Sequence, residues 1–159
     1  TVIGKQGHSV LVTLVERKTR FSVAIKAANK TAQAVTEAIC DNLKPYQDRV
    51  VTLTYDNGRE FAYHEQISHH LKAEGFFAHP SHSWERGLNE NTNGLIRQYI
   101  PKGKDIDDLN HQQVAQIMNK INNRPRKCLG FKRQAHTKLR WSELLSSLAV
   151  SDGHDTRGL

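Results

Sequence analysis

Residues 50–61 read VVTLTYDNGREF. Val50 to Tyr55 is a short, nearly continuous apolar run, the pattern of a strand covered on both faces, and we expect it to be the fourth strand, in a central position. Asp56-Asn57-Gly58 closes it. A hairpin turn would use the same letters. The next stretch of chain, however, is helix-patterned: Tyr63, Ile67 and Leu71 recur every four residues, on a helix expected to end near Gly75. An acid at the C-terminal end of a central strand is also where open α/β sheets place their sites. On this stretch alone, turn and site both stand open.

Upstream, NKTAQAVTEAICDNL (29–43) is an amphipathic helix. Ala32, Val35, Ile39 and Leu43 form its stripe, Asn29 or Thr31 its cap, and Pro45 lies just beyond. Helix then strand implies a crossover and a parallel pairing. Earlier still, HSVLVTLVER predicts a strand from Ser9 to Glu16, Arg17 to Thr19 a hairpin turn, and RFSVAIKA a strand with Phe21, Val23 and Ile25 on one face. Thr1-Val2-Ile3 is the stub of a first strand, followed by a turn at residues 4–7. The chain opens as an antiparallel meander.

Downstream, FFAH (76–79) is a short fifth strand and residues 80–87 a loop. A helix from Asn89 to Ile100 is stopped by Pro101. Another runs from Asn110 to Asn123, with Val114, Ile117, Met118 and Ile121 inward, and ends at Arg124-Pro125. The fold class is α/β, a mixed five-stranded sheet flanked by helices.

The chain has 159 residues, enough for one domain, with 37% apolar content and a mean hydropathy of -0.64. No apolar run is long enough to cross a membrane, and Thr1 to Gly7 lacks the order of a leader peptide. We read the chain as soluble, cytoplasmic and bacterial, associated with the nucleoid. Cys40 and Cys128 belong to no Cys-x-x-Cys pair and are expected to be ordinary thiols. The net charge is +7, and six Lys or Arg with no acid lie between Lys120 and Arg133. Such a face is either merely solvated or made for phosphate partners.

The helix at Asn89 begins with poor helix formers: Asn89, Asn91, Asn93 and Gly94 surround one carboxylate, Glu90. In a helix, Glu90, Asn93, Gly94 and Arg97 share a face, while Leu95 and Ile96 turn toward a core. Gly94 leaves room on the polar face for another backbone or a ligand. A fraying, solvated helix start would account for the same letters.

Asp56 and Glu90 are separated by 33 residues, with Arg97 seven beyond the acid. This spacing resembles the integrase-type D-D-E transposases and retroviral integrases. The phrases TLVERKTRF, YDNGREFA, HSWERGLNENTNGLIRQYIPKG and NNRPRKCLGF resemble, in order, the bacterial insertion-sequence transposases of the family numbered thirty. The resemblance covers Thr1 to Phe131 and implies an RNase H-like fold and an integrase-type catalytic core that cleaves and joins DNA. It implies Mg²⁺ (or Mn²⁺), two ions in the complete site, since paired ions activate an attacking oxygen and stabilise a leaving one. Mg²⁺ takes oxygen ligands and few protein contacts. Asp56 and Glu90 would be two of three catalytic and metal-ligating carboxylates. Arg97, Asn91, Asn93 and Lys102 would meet DNA near them. Arg124, Arg126 and Lys127 would contact DNA backbone without reading sequence. Trp84 would stack on an unpaired base or pack its loop down. The implied partners are DNA, at element ends and target, and further copies of the chain assembled on it, with no membrane.

Glu85 is separated from Asp56 by 28 residues, but the residue seven beyond it is Thr92, so the acid-then-base spacing fails there. Glu60 is expected to be the solvated start of the next helix. His69-His70 and His79/His82 lack ligand spacing for zinc. The match to the family breaks at three places. The family's first catalytic Asp directly precedes a TVIGK-like strand, and this chain begins with TVIGK at Thr1. Glu16 is no substitute, so the chain as given is expected to be inactive. It is also expected to lack an end-recognition domain. At Pro80-Ser81 relatives carry an aromatic after the proline. After CLGFK the tail, 132–159, diverges; we read it as foreign to the family, against an ordinary helix carrying Leu139, Leu144, Leu145 and Leu148. The function expected is a transposase catalytic core. The alternatives are an inactive remnant that keeps DNA binding or self-association, and a generic basic nucleic-acid-binding domain.

Overall fold

Strand β2 (Val10–Val15) is buried on both sides. Val10 and Val12 enter one apolar layer and Leu11 another, and none of the three is more than 1% exposed. Successive side chains on a strand point to opposite faces, so this burial demands cover above and below. The computed structural model describes residues 1–4, 8–79 and 83–133, apart from the side chains of 83–86.

β1 (Val2–Ile3) and β3 (Ser22–Ala27) flank β2, both antiparallel to it, with Val2 opposite Leu11 and Val12 opposite Ile25. The β2–β3 hairpin closes through Glu16 N–H to Phe21 O (2.8 Å) and Arg20 N–H to Glu16 O (2.9 Å).

The first layer over this sheet is α1 (Ala32–Leu43), capped by Thr31, whose hydroxyl accepts the Ala34 N–H at 3.3 Å. Of the two cap candidates, Asn29 plays the supporting part: its Oδ1 accepts the Thr31 N–H at 2.9 Å. Val35, Ile39 and Leu43 pack against Val10, Val12, Val23 and Ile25. Burial of each such side chain stabilises by about 1.5–3 kcal/mol. A 3-10 turn (Lys44–Arg49) leads to β4 (Thr52–Tyr55), a second 3-10 turn (Arg59–Phe61), α2 (His64–Leu71) and β5 (Glu74–Phe77). The opposite face of β2 and β3 is covered by α3 (Ser83–Tyr99) and α4 (His111–Asn122), through Leu95, Ile96, Ile100, Val114, Met118 and Ile121 against Leu11 and Ala24. α4 opens with a capping box: Asn110 Oδ1 accepts the Gln113 N–H (2.8 Å) and Gln113 Oε1 accepts the Asn110 N–H (2.9 Å).

The mixed α/β character agrees with the sequence reading, while the sheet differs from it. Among the described residues there are two sheets, antiparallel β1-β2-β3 and parallel β4-β5. β3 is not paired with β4, and the parallel crossover is the one through α2. The doubly buried strand is β2, not β4. Val51 is 74% exposed, and Thr52 and Thr54 are exposed while Tyr55 is buried. The threonines of VVTLTY make an outward face; the run looked continuous only when β-propensity stood in for apolarity. β5 begins two residues before FFAH and contains Gly75, where a Cβ would lie 2.7 Å from Ser68 Oγ and 3.2 Å from a Tyr55 ring carbon. That glycine lets α2 sit on the strand; α2 itself ends at Leu71, with Lys72 left-handed (φ 52°). α3 starts at Ser83, inside the expected loop, so the asparagines lie within the helix and not at its start. The tail from residue 134 onward, expected to be divergent, lies outside the described residues. No described helix is long and apolar enough to cross a membrane.

Asn122, 1% exposed, ties α4 to β3: its Oδ1 accepts the Ser22 N–H (3.0 Å) and its Nδ2 donates to Ser22 O (2.8 Å). Asn122→Ala would leave both buried backbone groups unsatisfied and is expected to destabilise by roughly 2–4 kcal/mol. By contrast Thr36, buried in α1, has a hydroxyl without a hydrogen-bond partner among the described residues. Thr36→Val, similar in shape, should be neutral or stabilising by up to about 1 kcal/mol. Thermal denaturation of the two variants beside the parent reads both.

Candidate active site

Tyr55, at the end of β4, and Phe61 are both buried, and their rings sit 5.4 Å apart. Phe77 of β5 lies 5.7 Å from Tyr55 and meets His64 edge-on at 4.6 Å. The loop DNG is thus held by an aromatic anchor on either side. Asn57 Nδ2 donates to Ala78 O (3.2 Å), and the Ala78 N–H donates to Tyr55 O (2.9 Å). Inside the loop, Asp56 Oδ1 accepts the Gly58 N–H at 3.1 Å, an Asx turn. One oxygen of Asp56 thus shapes the loop, and the half-exposed carboxylate has no cation beside it among the described residues.

Glu60 corrects the sequence reading. It is 5% exposed, not solvated, and precedes α2 in the 3-10 turn. Its Oε1 accepts the Thr1 hydroxyl at 2.9 Å, and Lys30 Nζ stands 3.7 Å from its Oε2. Burial pushes the Glu60 carboxyl up. Its own backbone N–H, the Thr1 hydroxyl, Lys30 and the charge of the Thr1 amino group outweigh that and leave it lowered. A Cβ at Gly58 would lie 2.5 Å from Glu60 Oε2 and 2.9 Å from Asp56 Oδ1, so this glycine is the gap that lets two carboxylates share one loop. In sequence terms the signal was Asp-x-Gly-x-Glu, in which spacing gives no sign that the second acid is buried.

Along α3, Glu90 and Asn91 are exposed, as is Gly94, whose missing Cβ would meet nothing within 4 Å. Asn93 turns to the sheet: the buried Thr13 hydroxyl donates to Asn93 Oδ1 at 2.9 Å, with Asn89 Oδ1 at 3.4 Å. A polar residue on the second face of β2 is thus met by asparagines one helical turn apart, which gives the poor helix formers a packing role. Arg97 Nη2 donates to Ile3 O (2.7 Å), bracing β1, and its Nη1 is buried with no hydrogen-bond partner among the described residues. Lys102, Arg124 and Lys127 are exposed and Arg126 is half-buried. The Trp84 and Glu85 side chains fall outside the described residues.

Carboxylate oxygens of the kind that hold Mg²⁺ are present at Asp56 and Glu90, neither neutralised by a described cation. Among the described residues, no three or more His, Cys, Asp or Glu gather closely enough to hold a metal ion. Both cysteines are free, Cys40 buried and Cys128 exposed.

No family model matches the chain. Individual proteins do. Over 131 residues, 82% of the chain, it is 47% identical to the transposase for insertion sequence element IS4351 of Bacteroides fragilis, covering 40% of that protein. Over 126 residues, 79% of the chain, it is 36% identical to transposase InsI for element IS30A of Escherichia coli K12, covering 33% of it. In three dimensions it matches a chain of the cryo-EM structure of the simian T-cell lymphotropic virus intasome in complex with the PP2A regulatory subunit B56 gamma. The TM-score is 0.60 at 17% identity, over 88% of this chain and 57% of that one. At that identity the fold alone is shared. Over about four fifths of its length the chain is thus similar to transposases of insertion sequence elements, the IS30 elements included. It spans about two fifths of the length of the first relative and a third of the second.

Gly58→Ala is expected to destabilise by about 1–3 kcal/mol through crowding, since φ -72° and ψ 142° are open to any residue. For Glu60, a lowered folded pKa means stability that is fully present above its ordinary value of 4.5 and is lost as pH falls through the folded value. Glu60→Gln should therefore flatten the acid limb of the stability curve below about pH 4.5. Urea midpoints measured across that range check it; an acid limb identical to the parent's would refute the assignment.

Proposed function

We propose that the chain is the catalytic core of an insertion-sequence transposase, with an RNase H-like, integrase-type fold, acting in DNA strand cleavage and strand transfer. The observation that carries this is the 47% identity to a transposase over 82% of the chain. The likeness in fold to a chain of an intasome structure supports it.

Asp56 and Glu90 would hold the divalent metal, Mg²⁺ or Mn²⁺. When bound, such ions activate an attacking oxygen and stabilise a leaving one on phosphorus. The rest falls to the protein. The aromatic anchors and the Asx turn fix Asp56 at the end of β4. Glu90 stands on a helix whose docking to the sheet is set by Asn93 and Thr13. A ligand on a rigid element keeps its geometry better than one on a loop. Arg97 spans the two parts, bracing β1 through Nη2, and would add positive charge beside the DNA backbone. Asn91 and Lys102, exposed near it, and Arg124, Arg126 and Lys127 would hold DNA backbone. Asn93 would serve DNA through its hold on Thr13. The partners under this reading are DNA ends, target DNA and further copies of the chain.

The test is a chimera in which residues 1–131 replace the matching stretch of the Bacteroides element's transposase. It should support strand transfer with Mg²⁺. Asp56→Asn and Glu90→Gln should each reduce the rate by more than about 100-fold without loss of folding. Strand transfer at the parent rate in both variants would overturn the assignment. A chimera that holds DNA and transfers nothing would leave DNA binding alone as the function.

A further inference from the structure

The Asn122–Ser22 clamp has an electrostatic consequence. Arg20 lies two residues before Ser22, and Arg124 and Arg126 lie two and four residues after Asn122. Two hydrogen bonds between Asn122 and the Ser22 backbone therefore bring the β2–β3 hairpin against the loop that comes after α4. The hairpin reads Glu16-Arg17-Lys18-Thr19-Arg20 and the loop Arg124-Pro125-Arg126-Lys127. Six cations are juxtaposed with one carboxylate.

That carboxylate is already in use. Glu16 accepts the Lys18 N–H at 2.8 Å, and also the backbone N–H and the hydroxyl of Thr19. Its oxygens are turned into the hairpin. None of the six cations has a carboxylate within ion-pairing distance among the described residues. Arg126 feels the crowding: burial, then Arg124 and Arg20, lower its guanidinium's affinity for the proton, and its Nε is buried without a hydrogen-bond partner among the described residues. The backbone is not free to relieve it. Arg20 is held left-handed (φ 64°) by its N–H bond to Glu16 O, with Ser22 Oγ on its carbonyl at 3.0 Å. Arg126 is held by its N–H bond to Lys132 O (3.2 Å) and by the Phe131 N–H on its carbonyl (2.9 Å).

We propose that Arg20, Arg124 and Arg126, ringed by Arg17, Lys18 and Lys127, form a phosphate-binding surface that grips the backbone of duplex DNA. It is built from two loops and centred on Arg20, which the sequence did not single out. The class of ligand rests on the transposase reading; the need for a polyanion rests on the geometry. Arginine suits the role, because its planar fork meets phosphate oxygens in pairs and stays charged.

The experiment is fluorescence anisotropy of the chain with a short labelled duplex of mixed sequence, titrated at salt from about 50 to 200 mM. Arg20→Gln and Arg124→Gln, confirmed folded by unchanged melting, should each weaken binding several-fold and lower the log–log salt slope by about one. Lys44→Gln, exposed at the end of α1 on the other face, should change neither. Parent-like affinity and slope in Arg20→Gln would overturn the site, as would an equal loss in Lys44→Gln or no duplex binding by the parent chain. None of those outcomes touches the strand-transfer test, which reads chemistry at Asp56 and Glu90.

Discussion

Strand β2 has no outward face. Val10 and Val12 fill one core and Leu11 the other, so the chain must supply a helical layer on each side. α1 and α2 answer the first demand, α3 and α4 the second. Thr13, a polar side chain of β2 buried on the second face, then needs a partner, and Asn93 provides it. An unsatisfied buried hydroxyl would cost about 1–3 kcal/mol, comparable with what a well-placed apolar residue contributes. The same bond that settles Thr13 sets how α3 lies on the sheet, and with it the outward position of Glu90.

The element types were legible because their patterns were strong. The 3.6-residue stripes of α1 and α4 and the hairpin of β2 and β3 could be read from residue order alone, and the cap of α1 only as far as Asn29 or Thr31. The rest needed tertiary information. VVTLTY reads as a buried strand only if Thr counts as apolar, and the structure turns its threonines outward. Gly75 reads as a helix stop, whereas its role is to let Ser68 and Tyr55 approach. Asn89 to Gly94 read as a helix start, because propensity cannot see that Thr13 waits opposite.

The candidate site was legible to a different degree. Asp56, Glu90 and Arg97 stood out by spacing, which reflects chain order. Glu60 did not, because what distinguishes it is contact with residues 59 and 30 positions away, Thr1 and Lys30. Its neighbour Gly58 carries the physical signature: there is no room for a Cβ between the two carboxylates. Charge in this loop is managed unequally. Glu60 is paired and held ionised, while Asp56 is half-exposed. Two acids four residues apart thus acquire different work, one in anchoring the chain's first strand and one in facing outward.

The basic corner obeys a converse logic. Like charges brought within about 10 Å repel appreciably at ordinary salt. A fold that merely needed solubility would spread them, or place a carboxylate between them. Here the clamp gathers them, and the nearest acid, Glu16, spends its hydrogen bonds on its own turn. The repulsion is a standing cost to the folded chain, offset by the buried Asn122–Ser22 bonds and the apolar packing of α4. An anion that binds there relieves that repulsion and, by mass action, stabilises the folded state. Under the proposed phosphate-binding role, the same six charges that repel one another in the free chain would favour the folded state on DNA.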